Sequence, residues 1–505
     1  MIIRSRHAVA LLSLVPALLF DPSARAEAEN VLFAFDDVSL PFTNGLRLQL
    51  VSYESSADGD SGSNEVVAPG PAGAPDSKGI IYYGTVCEVN GQLWMWYLGL
   101  GDHDDKRHYR ICLAQSKDGR HWTKPALGAL EYAGTKQNNL VDLDQGRFSV
   151  AGCVVYYEPD EPDASRRFKM VFTGKYAGLL FGVAYSPDGI HWTESPENPR
   201  GTVKLEPQGG IKWNGIYYVN GQGGRQWSPD GSARTLSTHA SSDFEHWTDS
   251  TALGFRRDPL PPHPNPRTGG TDGEQVHLGA AMWNRGNVII GFYGQWHGNP
   301  MNDRRYVSID TGMVVSHDAL HFHEPIPDFR IVQARETPSW WLPDGKTMPL
   351  ERAPAVMQGQ GFANIGKETL FWYSVWGIPS AGVRLAHWER DRLGYLQPYT
   401  AKNSPHLISA PVETHGQPVK VSLNVAGLNE NSQVKVTVLD GQFRALPGYS
   451  AAESSGPAAA GLRQPARWGD RESVTAPGAI RVRVDFTGVR PEDIRLYAIY
   501  VTPQS

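Results

Sequence analysis

Ser116-Lys117-Asp118-Gly119-Arg120-His121-Trp122 is a seven-residue frame that the chain uses again three times. It returns as Ser186-Pro187-Asp188-Gly189-Ile190-His191-Trp192, as Ser241-Ser242-Asp243-Phe244-Glu245-His246-Trp247 and as Ser316-His317-Asp318-Ala319-Leu320-His321-Phe322. Ser, Asp, His and a ring keep their offsets while the copies lie 55 to 75 residues apart, and a frame recurring at such spacing marks a repeat architecture. Each copy reads as a hairpin corner: Asp-Gly supplies the turn in the first two, the Ser and Asp side chains bond nearby backbone, and the ring plugs the adjoining layer. Four equivalent active sites in one chain are not expected, so these Asp and His residues are read as architecture.

Working outward, each corner follows a short strand: Leu113-Ala114-Gln115, Val183-Ala184-Tyr185, Thr238-His239-Ala240 and Met313-Val314-Val315. A fifth such stretch, Arg384-Leu385-Ala386-His387-Trp388, lacks the corner. Upstream lie runs dense in aromatic and β-branched residues, among them Leu93-Trp94-Met95-Trp96-Tyr97 and Thr369-Leu370-Phe371-Trp372-Tyr373, which read as strands. The unit is a meander of about four strands repeated five times, so an all-β chain is predicted, with a five-bladed β-propeller over residues 27–400. Val31-Leu32-Phe33-Ala34-Phe35 is expected to pair with the last repeat and close the ring, and Ser55 to Pro75 to form a surface loop. Period-2 alternation then dominates residues 404–505, as in Val419-Lys420-Val421-Ser422-Leu423 and Ile480-Arg481-Val482-Arg483-Val484, which predicts a carboxy-terminal β-sandwich packed against the propeller.

Residues 1–26 read as a secretory signal peptide, with basic Arg4 and Arg6, an apolar run from Ala8 to Phe20 and Ala24-Arg25-Ala26 as the cleavage site. A secreted or periplasmic location follows as an expectation. No other stretch approaches the roughly 18 apolar residues of a membrane span. The net charge of −6 does not invite nucleic acid. Cys87, Cys112 and Cys153 are odd in number for an exported chain and read as buried thiols rather than a disulfide framework.

In a propeller the residues before each innermost strand converge on one mouth of the central channel. There the sequence places Asp76 in the first repeat, Asp142 and Asp144 in the second, Glu206 in the third, and Asp272 and Glu274 in the fourth, with Gln358 and Gln360 in the fifth. A ring of acids facing one cavity suits glycosidic bond cleavage, which needs a protonated acid for the leaving oxygen and a carboxylate as base or nucleophile. Asp76, Asp144, Glu206 and Glu274 are the catalytic candidates. Asp142, Asp272, His277, Trp296 and His297 are the candidates for holding a carbohydrate substrate, since indole faces stack on sugar rings and His or acid side chains bond hydroxyls. No tight metal-ligand spacing is present, so neither a metal nor another cofactor is expected.

The five repeats, two of them with full S-x-D-G-x-x-W corners, resemble the five-bladed propeller glycosidases of glycoside hydrolase families 43 and 32, and the mannoside phosphorylases of family 130. Glu206-Pro207-Gln208-Gly209-Gly210-Ile211-Lys212-Trp213-Asn214-Gly215-Ile216-Tyr217-Tyr218 is similar to the family 43 segment in which a Glu at the inner-strand start is the general acid. That resemblance implies Asp76 as base, Asp142 or Asp144 as the acid that sets pKa, and Glu206 as general acid. The chain is also similar to a broad group of exported bacterial propeller proteins in which segments like Arg384-Leu385-Ala386-His387-Trp388-Glu389-Arg390-Asp391-Arg392 recur. A non-catalytic carbohydrate-binding propeller is the alternative. A phosphorylase would need a cationic phosphate site, for which Arg256, Arg257 and Lys212 are the residues to watch.

Overall fold

The computed structural model describes residues 29–504 apart from 55–63, 105–107, 144–147, 201–203, 224–233, 258–273, 299–306, 337–339, 342–346, 349–352, 377–381 and 401–403. The described chain is all-β: strands joined by turns, with three short 3-10 turns and no α-helix among the described residues. The signal-peptide reading of residues 1–26 lies outside them.

Five antiparallel meanders follow one another. Their innermost strands are Gly79–Val89, Gly152–Tyr157, Glu206–Trp213, Gln275–Asn284 and Val356–Ile365. A single parallel bridge from Thr85 to Gln360 joins the first meander to the fifth. The apolar clusters run in the same circuit. Trp96 and Leu98 of the first sheet meet Cys153 and Met170 of the second, and Val171 and Val183 of the second meet Tyr217 and Val219 of the third. Ile211 and Leu236 of the third meet Val276 and Val314 of the fourth. Phe292 and Val315 of the fourth meet Phe371 and Ala386 of the fifth, and Leu370 and Trp372 of the fifth return to Leu93 and Met95 of the first. Sandwiched strands of this kind are buried on both faces, which is why Ile289–His297 and Ser308–Ser316 are buried at every residue.

The repeated frame does what its residue types allow. Ser116 Oγ accepts from Gly119 N at 2.8 Å, while Asp118 Oδ1 accepts from Arg120 N and His121 N at 2.9 and 2.8 Å. Asp118 Oδ2 also lies 2.7 Å from His121 Nδ1, and the same bonds recur around Asp188, Asp243 and Asp318. The residue after the Asp is left-handed each time: Gly119 and Gly189 have φ of 74° and 75°, and Phe244 and Ala319 reach 68° and 61° without glycine's freedom. The turn's carbonyl is then shared between sheets. Gly119 O accepts the indole N–H of its own Trp122 at 2.9 Å and of Trp372, from the fifth sheet, at 3.0 Å. Gly189 O likewise takes Trp96 from the first sheet at 2.9 Å, and Phe244 O takes Tyr185 from the second at 3.3 Å.

Val31 to Phe35 does not pair with the last repeat. Its strand, Asn30–Phe33, pairs with Arg495–Pro503 near the chain's other end. The reason is that both its faces are apolar: Val31, Phe33 and Phe35 join the cluster between the fourth and fifth sheets, while Leu32 and Ala34 join the carboxy-terminal core. Within the stretch from Ser55 to Pro75 expected to be loop, Glu65–Val67 is a strand that pairs with Val383–Glu389 of the fifth sheet, helped by an ion pair from Arg384 to Glu65. Just before that stretch, Tyr53–Glu54 lies parallel to Arg330–Gln333 of the fourth sheet. The carboxy-terminal strands form two sheets. One holds Leu46–Leu50, Gly394–Pro398, Arg495–Pro503, Val419–Ala426 and Gly461–Pro465, and the other Phe42–Asn44, His406–Ile408, Arg481–Gly488 and Ser432–Leu439. Leu423, Val436, Val484 and Ile499 of these sheets share one buried cluster.

Candidate functional site

Bulges in the innermost strands shape the middle of the ring. Three residues at 82–84 oppose one in the first sheet, Gln208 is extra in the third, Leu278 and Gly279 are extra in the fourth, and 359–361 oppose one in the fifth. A bulge re-aims the side chains beside it. Here Gln360 is turned so that its Oε1 accepts from Met282 N at 2.8 Å while its Nε2 donates to Met282 O at 2.7 Å, and Tyr82 donates to Gln360 O at 3.1 Å. Gln358 Nε2 donates to the carbonyls of His277 and Gly279, at 3.0 and 2.9 Å. Asn220 Oδ1 accepts from Ala280 N at 2.9 Å. The strands approach so closely that a Cβ on Gly209 would fall 1.7 Å from Ala280 O. Leu278, with φ of 65°, holds a conformation that costs a branched side chain energy and that collects at functional sites.

Around that bulge several buried carboxamide atoms have no partner: both polar atoms of Gln208, Nδ2 of Asn220, Oε1 of Gln222 and Oε1 of Gln358. Gln208 is 1% exposed. Buried amides without partners are rare and mark places where a polar group from elsewhere is received. Glu206 stands beside them as the first residue of its strand. It is half-buried, accepts from Gln222 Nε2 at 3.2 Å, and has Lys204 Nζ at 3.6 Å.

Glu274 has a different setting. It is buried, with Arg257 Nη2 2.5 Å from its Oε2 and His297 Nδ1 3.0 and 2.9 Å from its two oxygens. Arg257 also reaches Asp328 at 2.6 Å and donates to Trp296 O at 3.2 Å. His297 Nε2 lies 3.5 Å from Asp310, which in turn meets Arg330 at 3.1 Å. Burial pushes the Glu274 carboxyl up, but His297 and Arg257 together bring it below the ordinary glutamate range. Burial pushes His297 down, but Asp310 and Glu274 hold it above the ordinary histidine value. Both shifts favour the charged forms, so the geometry suits an ion pair that fixes the position of the two side chains.

The remaining described candidates fall in three groups. Asp76 is fully buried, bonded by Tyr97 at 2.7 Å, Lys124 at 2.5 Å and Gly70 N at 3.1 Å. Asp142 is held by its backbone against the second sheet's corner, through Ile190 O at 2.8 Å and Trp192 N at 2.9 Å, and not at the start of Gly152–Tyr157. His277 and Trp296 are packed together with Trp376, ring centres 5.5 to 5.6 Å apart, and Trp296 is wholly buried with Arg234 over one face. Asp144 and Asp272 lie outside the described residues. The structure thus groups Glu274, His277, Trp296 and His297 on the fourth sheet, with Gln358 of the fifth reaching the same bulge. Sequence reasoning missed Gln208, Asn220, Asp310 and the ionic role of Arg257. Only Gln208 carried a local signal, its place directly after Pro207 at a strand start. Of the phosphate-site residues, Arg257 is committed to acids and Lys212 to Glu158 and Tyr217.

No known family profile matches the chain, and no curated protein does. Solved structures similar to it include a glycosyl hydrolase from Bacteroides ovatus, at 15% identity over 70% of this chain and 97% of that one, with a TM-score of 0.44. Another comes from work on mannoside phosphorylases of family GH130 that contain glycoside hydrolases targeting β-1,2 mannosidic linkages, at 13% identity over 68% and 94%, TM-score 0.42. A third is an N-acetylgalactosamine deacetylase from F. plautii in complex with blood group B trisaccharide, at 12% identity over 65% and 96%, TM-score 0.42.

Proposed function

We propose that this chain is a carbohydrate-active five-bladed β-propeller with a carboxy-terminal β-sandwich, exported through residues 1–26, and that it cleaves glycosidic bonds at the mouth of the ring. Five successive meanders with shared apolar clusters support the propeller reading. The observation that carries the function is Glu206 at an inner-strand start, reachable from solvent, next to buried carboxamides of Gln208, Asn220 and Gln222 that still have hydrogen-bonding atoms to offer. A glycan supplies what those atoms lack, since each hydroxyl both donates and accepts. Glu206 is the general acid on this reading, because an acid that protonates a leaving oxygen must be reached by it. Glu274 and Asp76, each ion-paired and buried, hold the walls. Asp144 is the second carboxylate that the reaction needs.

One observation favours a binding-only propeller as the second reading. Two of the three described catalytic candidates, Asp76 and Glu274, are each neutralised by a cation at 2.5 Å.

Hydrolysis of a panel of aryl furanosides and pyranosides tests both. The expected result is turnover that falls about 10²- to 10⁴-fold in Glu206→Gln, the range for loss of a general acid, with the melting temperature near that of the parent. If no substrate turns over while glycans bind parent and Glu206→Gln alike, the binding reading replaces this one.

A further inference from the structure

The segment Glu389-Arg390-Asp391-Arg392 plays no part in the reaction above, yet the fold invests heavily in its shape. Asp391 is left-handed, with φ of 61°, and fully buried. Its carboxylate meets Arg285 at 2.5 Å, accepts from Asn364 Nδ2 at 3.0 Å and from Tyr500 Oη at 2.8 Å, and its backbone N–H donates to Thr369 Oγ1 at 2.9 Å. Clamped from the fourth sheet, the fifth sheet and the last strand, this turn presents Arg390 and Arg392 to a cavity of about 480 Å³ between the fifth sheet and Gly461–Pro465. The cavity lies by the Gly366-Lys367 hairpin turn, at the far end of Val356–Ile365 from the strand starts that carry the acids.

Lys367, Arg390 and Arg392 line it against the single carboxylate Glu389. That carboxylate is already paired with Arg392, whose Nε donates to Asn424 at 2.9 Å. Arg390 keeps a buried Nε without an acceptor, only its Nη1 reaching Gly366 O at 3.2 Å. The surplus charge is therefore positive, fixed in direction and partly unspent. The wall opposite carries no charge: Gly461, Leu462 and Gln464 line it, and the Gln464 carboxamide packs where a Cβ on residue 461 would fall.

We propose that this cavity is a binding site for an anionic saccharide, its carboxylate received by Arg390 and Lys367 and its hydroxyls by Gln464. The volume lies within the range of small-molecule sites and exceeds what a bare oxyanion fills, and a guanidinium is suited to a carboxylate. The assignment rests on the carbohydrate reading for the sugar but not on Glu206 or on catalysis.

Calorimetric titration of the full chain with glucuronate, glucose and inorganic phosphate tests it, beside Arg390→Gln/Lys367→Gln and Glu206→Gln. Glucuronate is expected to bind the parent and Glu206→Gln equally, and at least about tenfold more weakly to the double variant, as loss of charge-assisted bonds implies. Glucose is expected not to bind there. Phosphate binding without glucuronate binding would overturn the saccharide assignment, and so would glucuronate binding that the double variant leaves unchanged or no binding of either anion. A melting temperature for the double variant near that of the parent shows that its loss is local. Absence of hydrolysis with glucuronate binding intact would sink the catalytic reading alone.

Discussion

The four corners and the four bulges are built from the same meanders and have opposite characters. In the corners the side-chain bonds of Asp118 are repeated around Asp188, Asp243 and Asp318, and the turn carbonyls of Gly119, Gly189 and Phe244 each accept from their own indole and from a ring of a neighbouring sheet. The bulges follow no single frame: three residues oppose one in the first and fifth sheets, one residue is extra in the third and two in the fourth, Leu278 is left-handed, and Gln208, Asn220, Gln222 and Gln358 keep atoms without partners. Repetition marks what every sheet needs in order to stand beside the next. Departure from it marks what the molecule needs only once, which is why the candidate site lies at the bulges despite having no motif of its own.

That contrast can be broken at several points. The largest effect is expected at Arg257→Met, which leaves the buried Glu274 with His297 as its one remaining cationic partner among the described residues; losing a partner of a buried charge costs up to about 3–5 kcal/mol. Chemical denaturation should show it, and a loss under about 1 kcal/mol would mean that the fourth-sheet ion network is not a structural device. Asp188→Ala removes the acceptor of two backbone N–H groups and of the His191 ring. A loss of about 1–3 kcal/mol is expected, with activity per folded molecule unchanged; a drop in kcat would place chemistry in a corner.

A pH series comes next. The folded His297 binds its proton more tightly than an unfolded histidine, so its contribution is fully present below about pH 6.5 and fades as pH rises through the higher folded value. Glu274 has the opposite sign: its contribution is present above the unfolded glutamate pKa and fades in acid, as pH falls through the lowered folded value. Stability should thus decline from pH 6 to 9 at a slope of at most about 1.4 kcal/mol per unit, and His297→Gln should flatten the decline. An unchanged slope in that variant would place the titrating group elsewhere. The smallest effect is expected at Gln208→Leu. An unpartnered buried amide stabilises little, so the midpoint should move by less than about 1 kcal/mol, while KM for the panel substrate rises. Clear destabilisation with KM unchanged would assign Gln208 to the corners' class.

Much of the all-β strand order was legible because its signals were local and repeated. The Ser-x-Asp frame, the aromatic runs and the strand spacing each report backbone geometry within a few residues, and the described chain is all-β with meanders where those runs lie. Long-range pairings were not legible. Nothing in Val31 to Phe35 states which of two apolar neighbours it serves, and it serves both. Glu65–Val67 is too short to stand out from the Ser, Gly and Pro around it. At the site the sequence indicated acids near strand starts, but Asp76 and Glu206 look alike in that respect. What separates them is Lys124, 48 residues downstream and bonded to Asp76 alone of the two. Burial and pairing depend on partners that only the folded chain supplies.

The pairing of Asn30–Phe33 with Arg495–Pro503 sets an order on the birth of the molecule. Asn30 faces Val501 across that ladder, so the strand made first among those described waits for one made 471 residues later. Until then its apolar faces have no seat, a vulnerability shared by chains that must hold early segments open during synthesis.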